Sequence, residues 1–114
     1  MGQITEELNE TIENTAKELT KKYGVTVTPF AFIKGEEVIV GYLKEPSRLD
    51  KMRAIDMYEQ SRTQAGDIIL RTSLCVESDP RILDEKPEND PIYLGAIEWA
   101  TRSVTLYNEQ LKKK

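Results

Sequence analysis

The sequence predicts an α+β fold: an N-terminal helix, one β-hairpin, and then a bundle of three to four helices, within a single domain spanning residues 1–114. Three observations carry this expectation. Apolar residues recur every three or four positions near both ends of the chain. Between residues 25 and 43 the composition changes to β-branched and aromatic strand formers. Glycine or proline punctuates each change of period.

The first helix is expected over residues 3–23. Ile4, Leu8, Ile12, Ala16, Leu19 and Tyr23 fall on one narrow stripe, and Glu, Lys, Asn and Thr occupy the other faces. Its threonines and asparagines lower the intrinsic helix propensity, so packing must hold it. Gly24 stands where a helix C-terminal glycine belongs. Two placements fit this stripe. The helix lies on its own domain, or it is a docking arm (residues 1–23) for a neighbouring copy or another partner. In the second case, deleting residues 1–23 leaves a folded remainder that has lost oligomerisation or partner binding.

Residues 25–43 read as the hairpin. Val25, Val27, Phe30, Phe32 and Ile33 form one arm, and Val38, Ile39, Val40 and Tyr42 the other. Lys34-Gly35-Glu36-Glu37 supplies the turn with its glycine. Pro29 has no N–H for a ladder, so the first arm is an edge strand or begins after it. A lone hairpin is barely stable in water. It must pack on helices or pair its free edge with another chain.

The helical part covers residues 46–114. Pro46 ends the strand and Ser47 caps a helix reaching about Gln60, with Leu49, Met52, Ile55 and Tyr58 facing inward. Thr63 is expected to cap a short helix over 64–74, whose core residues are Ile68, Ile69 and Leu74. Gly66 in its first turn permits close approach of another helix. Cys75, flanked by Leu74 and Val76, reads as a buried structural thiol. Ser78 to Leu83 is expected to form a capped single helical turn, and Asp84 to Asp90 a polar surface loop. Asp90-Pro91 opens the last helix as cap and first residue. Tyr93, Ile97, Ala100, Val104, Tyr107 and Leu111 form its stripe. Leu94, Trp99 and Leu106 lie off that line, so this helix packs on two sides or meets a partner. Lys112-Lys113-Lys114 suits the negative end of a helix dipole.

Composition narrows the function. Charged residues make up 32% of the chain and hydrophobic residues 39%, which predicts a modest core wrapped in charged helix faces. The net charge of −4 argues against general nucleic-acid binding, which needs excess Lys and Arg to displace counterions. With one cysteine and no histidine, an intrachain disulfide, a Cys/His zinc site, a Ser-His-Asp triad and a Cys-His dyad are all ruled out by inventory. The loop from Asp84 to Asp90 lacks the glycine and alternating oxygen ligands of a calcium hand. Neither GxGxxG nor a P-loop occurs. No apolar run approaches the roughly 20 residues that span a bilayer. Met1-Gly2 is followed by Glu6 where a myristoylation start wants Ser or Thr. These features predict a non-enzymatic, cytoplasmic protein without cofactor, metal or membrane partner.

One stretch carries a family resemblance. Gly41-Tyr42-Leu43-Lys44-Glu45-Pro46-Ser47-Arg48 is a strand end followed by Lys-x-Pro-Ser-Arg. Downstream come Asp67-Ile68-Ile69-Leu70-Arg71-Thr72-Ser73-Leu74-Cys75-Val76 and Ser78-Asp79-Pro80-Arg81-Ile82. Together they resemble the hairpin end, cysteine-ending helix and acidic turn of small morphogenesis proteins from tailed phages and prophages of gut Bacteroidetes. Those proteins are described as tail-assembly-chaperone-like. The resemblance covers about residues 41–82. It departs from the pattern at Val76, where the family often has Trp, and at Glu77-Ser78, where it has Gly-Gly. The N-terminal helix is also longer than the family's.

The resemblance implies a chaperone that coats a tape-measure protein while the tail tube polymerises. The alternative it leaves open is a structural virion component, such as a head-tail connector, ring or capsid-associated protein, with the virion as its location. A host-directed regulatory or inhibitor protein is a third reading. In each case the partners are proteins, with homo-oligomerisation a further expectation. The apolar residues expected to meet them are Ile4, Leu8, Ile12 and Leu19 on the first helix, Phe30 and Phe32 on the hairpin, and Leu94, Trp99, Leu106 and Tyr107 on the last helix.

Overall fold

The computed structural model describes residues 3–112 and has the expected α+β architecture. The order is α1 (Glu6–Tyr23), β1 (Val27–Lys34), β2 (Glu37–Lys44), α2 (Arg48–Tyr58), α3 (Arg62–Ser73), a 3-10 turn at Pro87–Asn89, and α4 (Asp90–Lys112). The expectations for Met1-Gly2 and for the lysine side chains 112–114 lie outside the described residues. Among the described residues no helix is long and apolar enough to cross a membrane.

The hairpin forms the middle layer. Its antiparallel register pairs Phe30 with Gly41 and Phe32 with Ile39, and Gly35 makes the turn at φ +63°. Side chains alternate between the two faces of a strand. Phe30, Phe32, Ile39 and Leu43 therefore face the helices behind, in a core with Ala54, Ala65, Ile69, Leu70, Ile82, Ile92, Ala96, Ile97, Ala100 and Val104. Val27, Ala31, Val40 and Tyr42 face the other way, into a smaller core with Ile12, Ala16, Leu19 and Cys75. β1 runs straight through Pro29, which pairs opposite Tyr42 in an edge strand, the first of the two placements the proline allowed.

α1 covers that second face, so the intramolecular placement of its stripe is the one adopted. The Thr5 hydroxyl accepts a bond from Leu8 N, and Gly24 closes the helix at φ 72° with its N–H on Thr20 O. Ile4 precedes this cap and lies outside the helix, a correction to the expected start at residue 3. The last turn is pinned as well. Lys22 Nζ and Tyr23 OH both donate to the Glu77 carboxylate, at 2.6 and 2.8 Å.

That clamp predicts a pH response. The hydrogen bonds from Lys22 and Tyr23 hold the Glu77 carboxyl down at about 2. A carboxyl depressed by folding stabilises the folded state above its ordinary pKa and loses that contribution as pH falls toward the depressed value. The α1 contact should therefore loosen between about pH 4.5 and 2. Glu77→Gln should remove that part of the transition as followed by tyrosine near-UV circular dichroism. An unchanged acid profile would show that the clamp contributes nothing.

In the helical layer, Ser47 caps α2 as expected, its hydroxyl accepting from Asp50 N. The inward face of α2 differs from expectation. Leu49 and Met52 are exposed and Ile55 is half-buried, while Ala54 is fully buried with Met57 and Tyr58 partly covered beside it. The small Ala54 shares the core with the equally buried Ala65 of α3, and an approach that close has no room for Leu or Met. α3 starts two residues early, because Ser61 rather than Thr63 accepts from Gln64 N. Its core residues include Leu70 beside Ile69, while Ile68 and Leu74 are only partly covered. Gly66 meets α4 closely, as expected: a Cβ there would sit 3.0 Å from Ile97 O.

Residues 80–83 form a single turn that does not extend into a helix; Asp79 accepts from Arg81 N as a cap does, and Ile82 N donates to Asp79 O at 3.2 Å. Asp90 lies inside α4 and does not cap it, since the 3-10 turn at Pro87–Asn89 leads straight into the helix. The buried stripe of α4 is Ile92, Ala96, Ile97, Ala100 and Val104. Leu111, expected in that stripe, is exposed near the helix end.

Candidate protein-binding surface

The two outer edges of the hairpin differ. Glu45 N donates to Thr26 O at 2.8 Å, which makes 26 and 45 a hydrogen-bonded pair. Bonded and non-bonded pairs alternate along an antiparallel ladder. The backbone groups of Val40 and Tyr42 on β2, and of Ala31 and Ile33 on β1, therefore point outward. On β2 three of these four groups are engaged, Val40 N being the exception. Cys75 N donates to Tyr42 O at 2.8 Å, Asp79 N to Val40 O at 2.9 Å, and Tyr42 N to the Ser78 hydroxyl at 2.9 Å. The segment 74–79 thus covers that edge.

On β1 only the upstream end is closed, where Val27 N donates to the Thr20 hydroxyl at 3.0 Å and Pro29 has no N–H to offer. Beyond it, no backbone hydrogen bond from elsewhere in the described chain reaches Ala31 or Ile33. Each presents one donor and one acceptor. The Ile33 side chain is 48% exposed beside them. Chemically this is a short template for an extended segment, which would add a third strand through main-chain bonds.

The residues expected to meet partners separate into three groups. Ile12, Leu19 and Phe30 are buried in the chain's own cores, which corrects their expected role. α1 spends its stripe on the hairpin, and Phe30 lies across Gly41. Leu8, Phe32, Trp99 and Tyr107 are partly covered. The Trp99 ring stacks on Phe30 and lies under the Arg102 guanidinium at 4.6 Å. Lys51 sits 5.1 Å over Tyr107, whose phenol burial pushes up to about 12. Leu94 and Leu106 are exposed, and Ile4 is half-exposed ahead of the α1 cap. The outward face of α4 is no continuous apolar stripe, because the Glu98–Arg102 ion pair runs between Leu94 and Leu106.

Two further surfaces lie outside the ten residues expected to meet partners. One is the free hairpin edge expected above, which the register narrows to Ala31–Ile33. Its signal in the sequence is Pro29, but which residues turn their backbone outward depends on the register of the turn. The other is a groove of about 670 Å³ between α2 and the end of α4, lined in part by Met52, Ile55, Tyr107 and Leu111. The spacing of Leu49, Met52 and Ile55 marked one face of α2, and only the packing of Ala54 shows that it turns outward.

The Cys75 thiol is buried, and burial pushes its pKa up, away from the reactive thiolate form. The largest carboxylate shift belongs to Glu77, in the surface clamp described above. Among the described residues no group of three or more Cys, Asp or Glu side chains is placed to hold a metal ion. Comparison with protein-family models, curated proteins and solved structures finds no match.

Proposed function

We propose that this protein acts by binding other proteins and carries out no reaction, and that it serves in phage particle assembly as a tail-assembly-chaperone-like factor. The observation that supports binding most directly is the asymmetry of the hairpin. One edge is covered by residues 74–79, while on the other no group among the described residues pairs with the Ala31 and Ile33 backbone beside an exposed isoleucine. The phage direction rests on the resemblance of residues 41–82. In this reading a segment of the tape-measure protein docks on the β1 edge and the adjoining Phe32.

The test is co-expression with the tape-measure protein of the same phage. The proposal expects the two to co-purify, with more tape-measure protein in the soluble fraction. Ile33→Pro should abolish co-purification, since it removes an outward N–H that the β1–β2 ladder does not use, so the fold should survive. An unchanged soluble fraction with no co-purification would overturn the chaperone reading. Mass spectrometry of purified virions adds the second arm. A chaperone is absent from them, whereas stoichiometric copies would identify a structural component instead.

A further inference from the structure

We infer that the exposed face of α2 is a two-fold interface with a second copy of this chain. The face consists of Arg48, Leu49, Met52, Ile55 and Asp56, and it is self-complementary about Met52. When two such helices pack antiparallel with their Met52 residues together, Arg48 comes level with Asp56 of the second copy. Leu49 likewise comes level with Ile55 of the second copy. Both matches repeat on the other side of the axis, as an isologous contact requires.

The charges around α2 point the same way. Lys51 is committed within the chain, bonded to Glu45 at 3.0 Å and placed over Tyr107. Arg53 lies 4.0 Å from Asp50. Arg48 and Asp56 make no ion pair among the described residues. They stand eight residues apart on one helix, about 12 Å along its axis, too far to pair with each other. Among the described residues these two charges have no partner, and in the antiparallel pair each has one.

The apolar part fits as well. Leu49 and Met52 are 56% and 54% exposed on a helix whose buried side is elsewhere. The groove between α2 and α4 widens the contact, with exposed Leu111 on its far wall. α2 has only 11 residues, so the interface is at the small end of stable contacts and the dimer should be a weak one. This interface is separate from the β1 edge and does not depend on what binds there.

Sedimentation equilibrium of the full chain tests it. The wild type should show a reversible monomer–dimer equilibrium in the range of about 10 to 500 µM. Arg48→Glu and Asp56→Arg, each placing like charges across the axis, should weaken the dimer about tenfold or more. The double variant Arg48→Glu/Asp56→Arg reverses both charges and should return association to within about threefold of wild type. Met52→Glu should give a monomer. All of these side chains are partly or fully exposed, so thermal melting should stay close to wild type and report that each variant is folded. Three results would overturn the inference: a wild type that stays monomeric throughout, a dimer indifferent to Met52→Glu, or a double variant as weak as the singles.

Discussion

Gly41→Val should cost the protein about 3 kcal/mol, near the upper end of what overpacking does to a core. The Phe30 ring lies flat across Gly41, its cross-strand partner, and three ring carbons come under 3.0 Å from where a Cβ would stand. The ring has nowhere to retreat. It stacks on Phe32 at a centroid distance of 6.4 Å and on Trp99 at 6.3 Å, and it is only 4% exposed. Valine at position 41 must push Phe30 out of the larger core or part the two strands. Urea unfolding followed by tryptophan fluorescence measures the loss, since Trp99 is the only tryptophan and touches Phe30. A change below about 0.5 kcal/mol, the range of ordinary surface substitutions, would show that the ring moves freely. Gly41→Val/Phe30→Leu, with a smaller side chain opposite, should recover part of the loss.

Leu19→Asp should undock α1 while leaving the larger core in place. Leu19 is 6% exposed and sits among Ile12, Ala16, Val27, Tyr42 and Cys75. A carboxylate there has no cation within the apolar cluster, and burying it would cost several kcal/mol, so releasing the helix is the cheaper outcome. The larger core shares none of its buried residues with α1, and the hairpin keeps its other face on α3 and α4. Freed from the hairpin, α1 should lose most of its helicity, because 18 residues carrying threonine and asparagine are marginal alone in water. Cys75 provides the second readout. It is 3% exposed, and burial raises its thiol pKa. Exposure should return that pKa toward its usual value and speed reaction with a disulfide reagent by about tenfold or more, through access and ionisation together. A thiol as slow as wild type, or loss of the whole fold in one step, would show that the two cores are not separable.

Periodic features were legible in the sequence where one side of an element is buried. The α1 stripe, the hairpin with its Gly35 turn, and the long α4 repeat each predicted their element. The physical reason is that a single buried face imposes its own period on the side chains. α2 was legible as a helix but not as a face. Leu49, Met52 and Ile55 are larger and more apolar than Ala54, yet close packing against α3 gave Ala54 the inside position. The segment 78–83 was legible as a capped turn, since Asp79 stands just ahead of Pro80 and its carboxylate accepts from Arg81 N.

The candidate surfaces were less legible than the fold. Ile12, Leu19 and Phe30 look from sequence like residues that could serve a partner as readily as a core, since the pattern of an amphipathic face is identical in both cases. What distinguishes them is whether another part of the same chain reaches that face.

By itself, then, the sequence determined the α+β class, the order of elements, and the absence of histidine and of a second cysteine, because these follow from local periodicity and inventory. Only the tertiary structure decided that α1 packs on its own hairpin, that residues 74–79 cover β2 while no group among the described residues pairs with the Ala31 and Ile33 backbone, and that α2 turns Leu49 and Met52 outward between Arg48 and Asp56. Each of those depends on contacts between residues far apart in the chain. Local pattern shows that a face is apolar, and only the packed chain shows what lies against it.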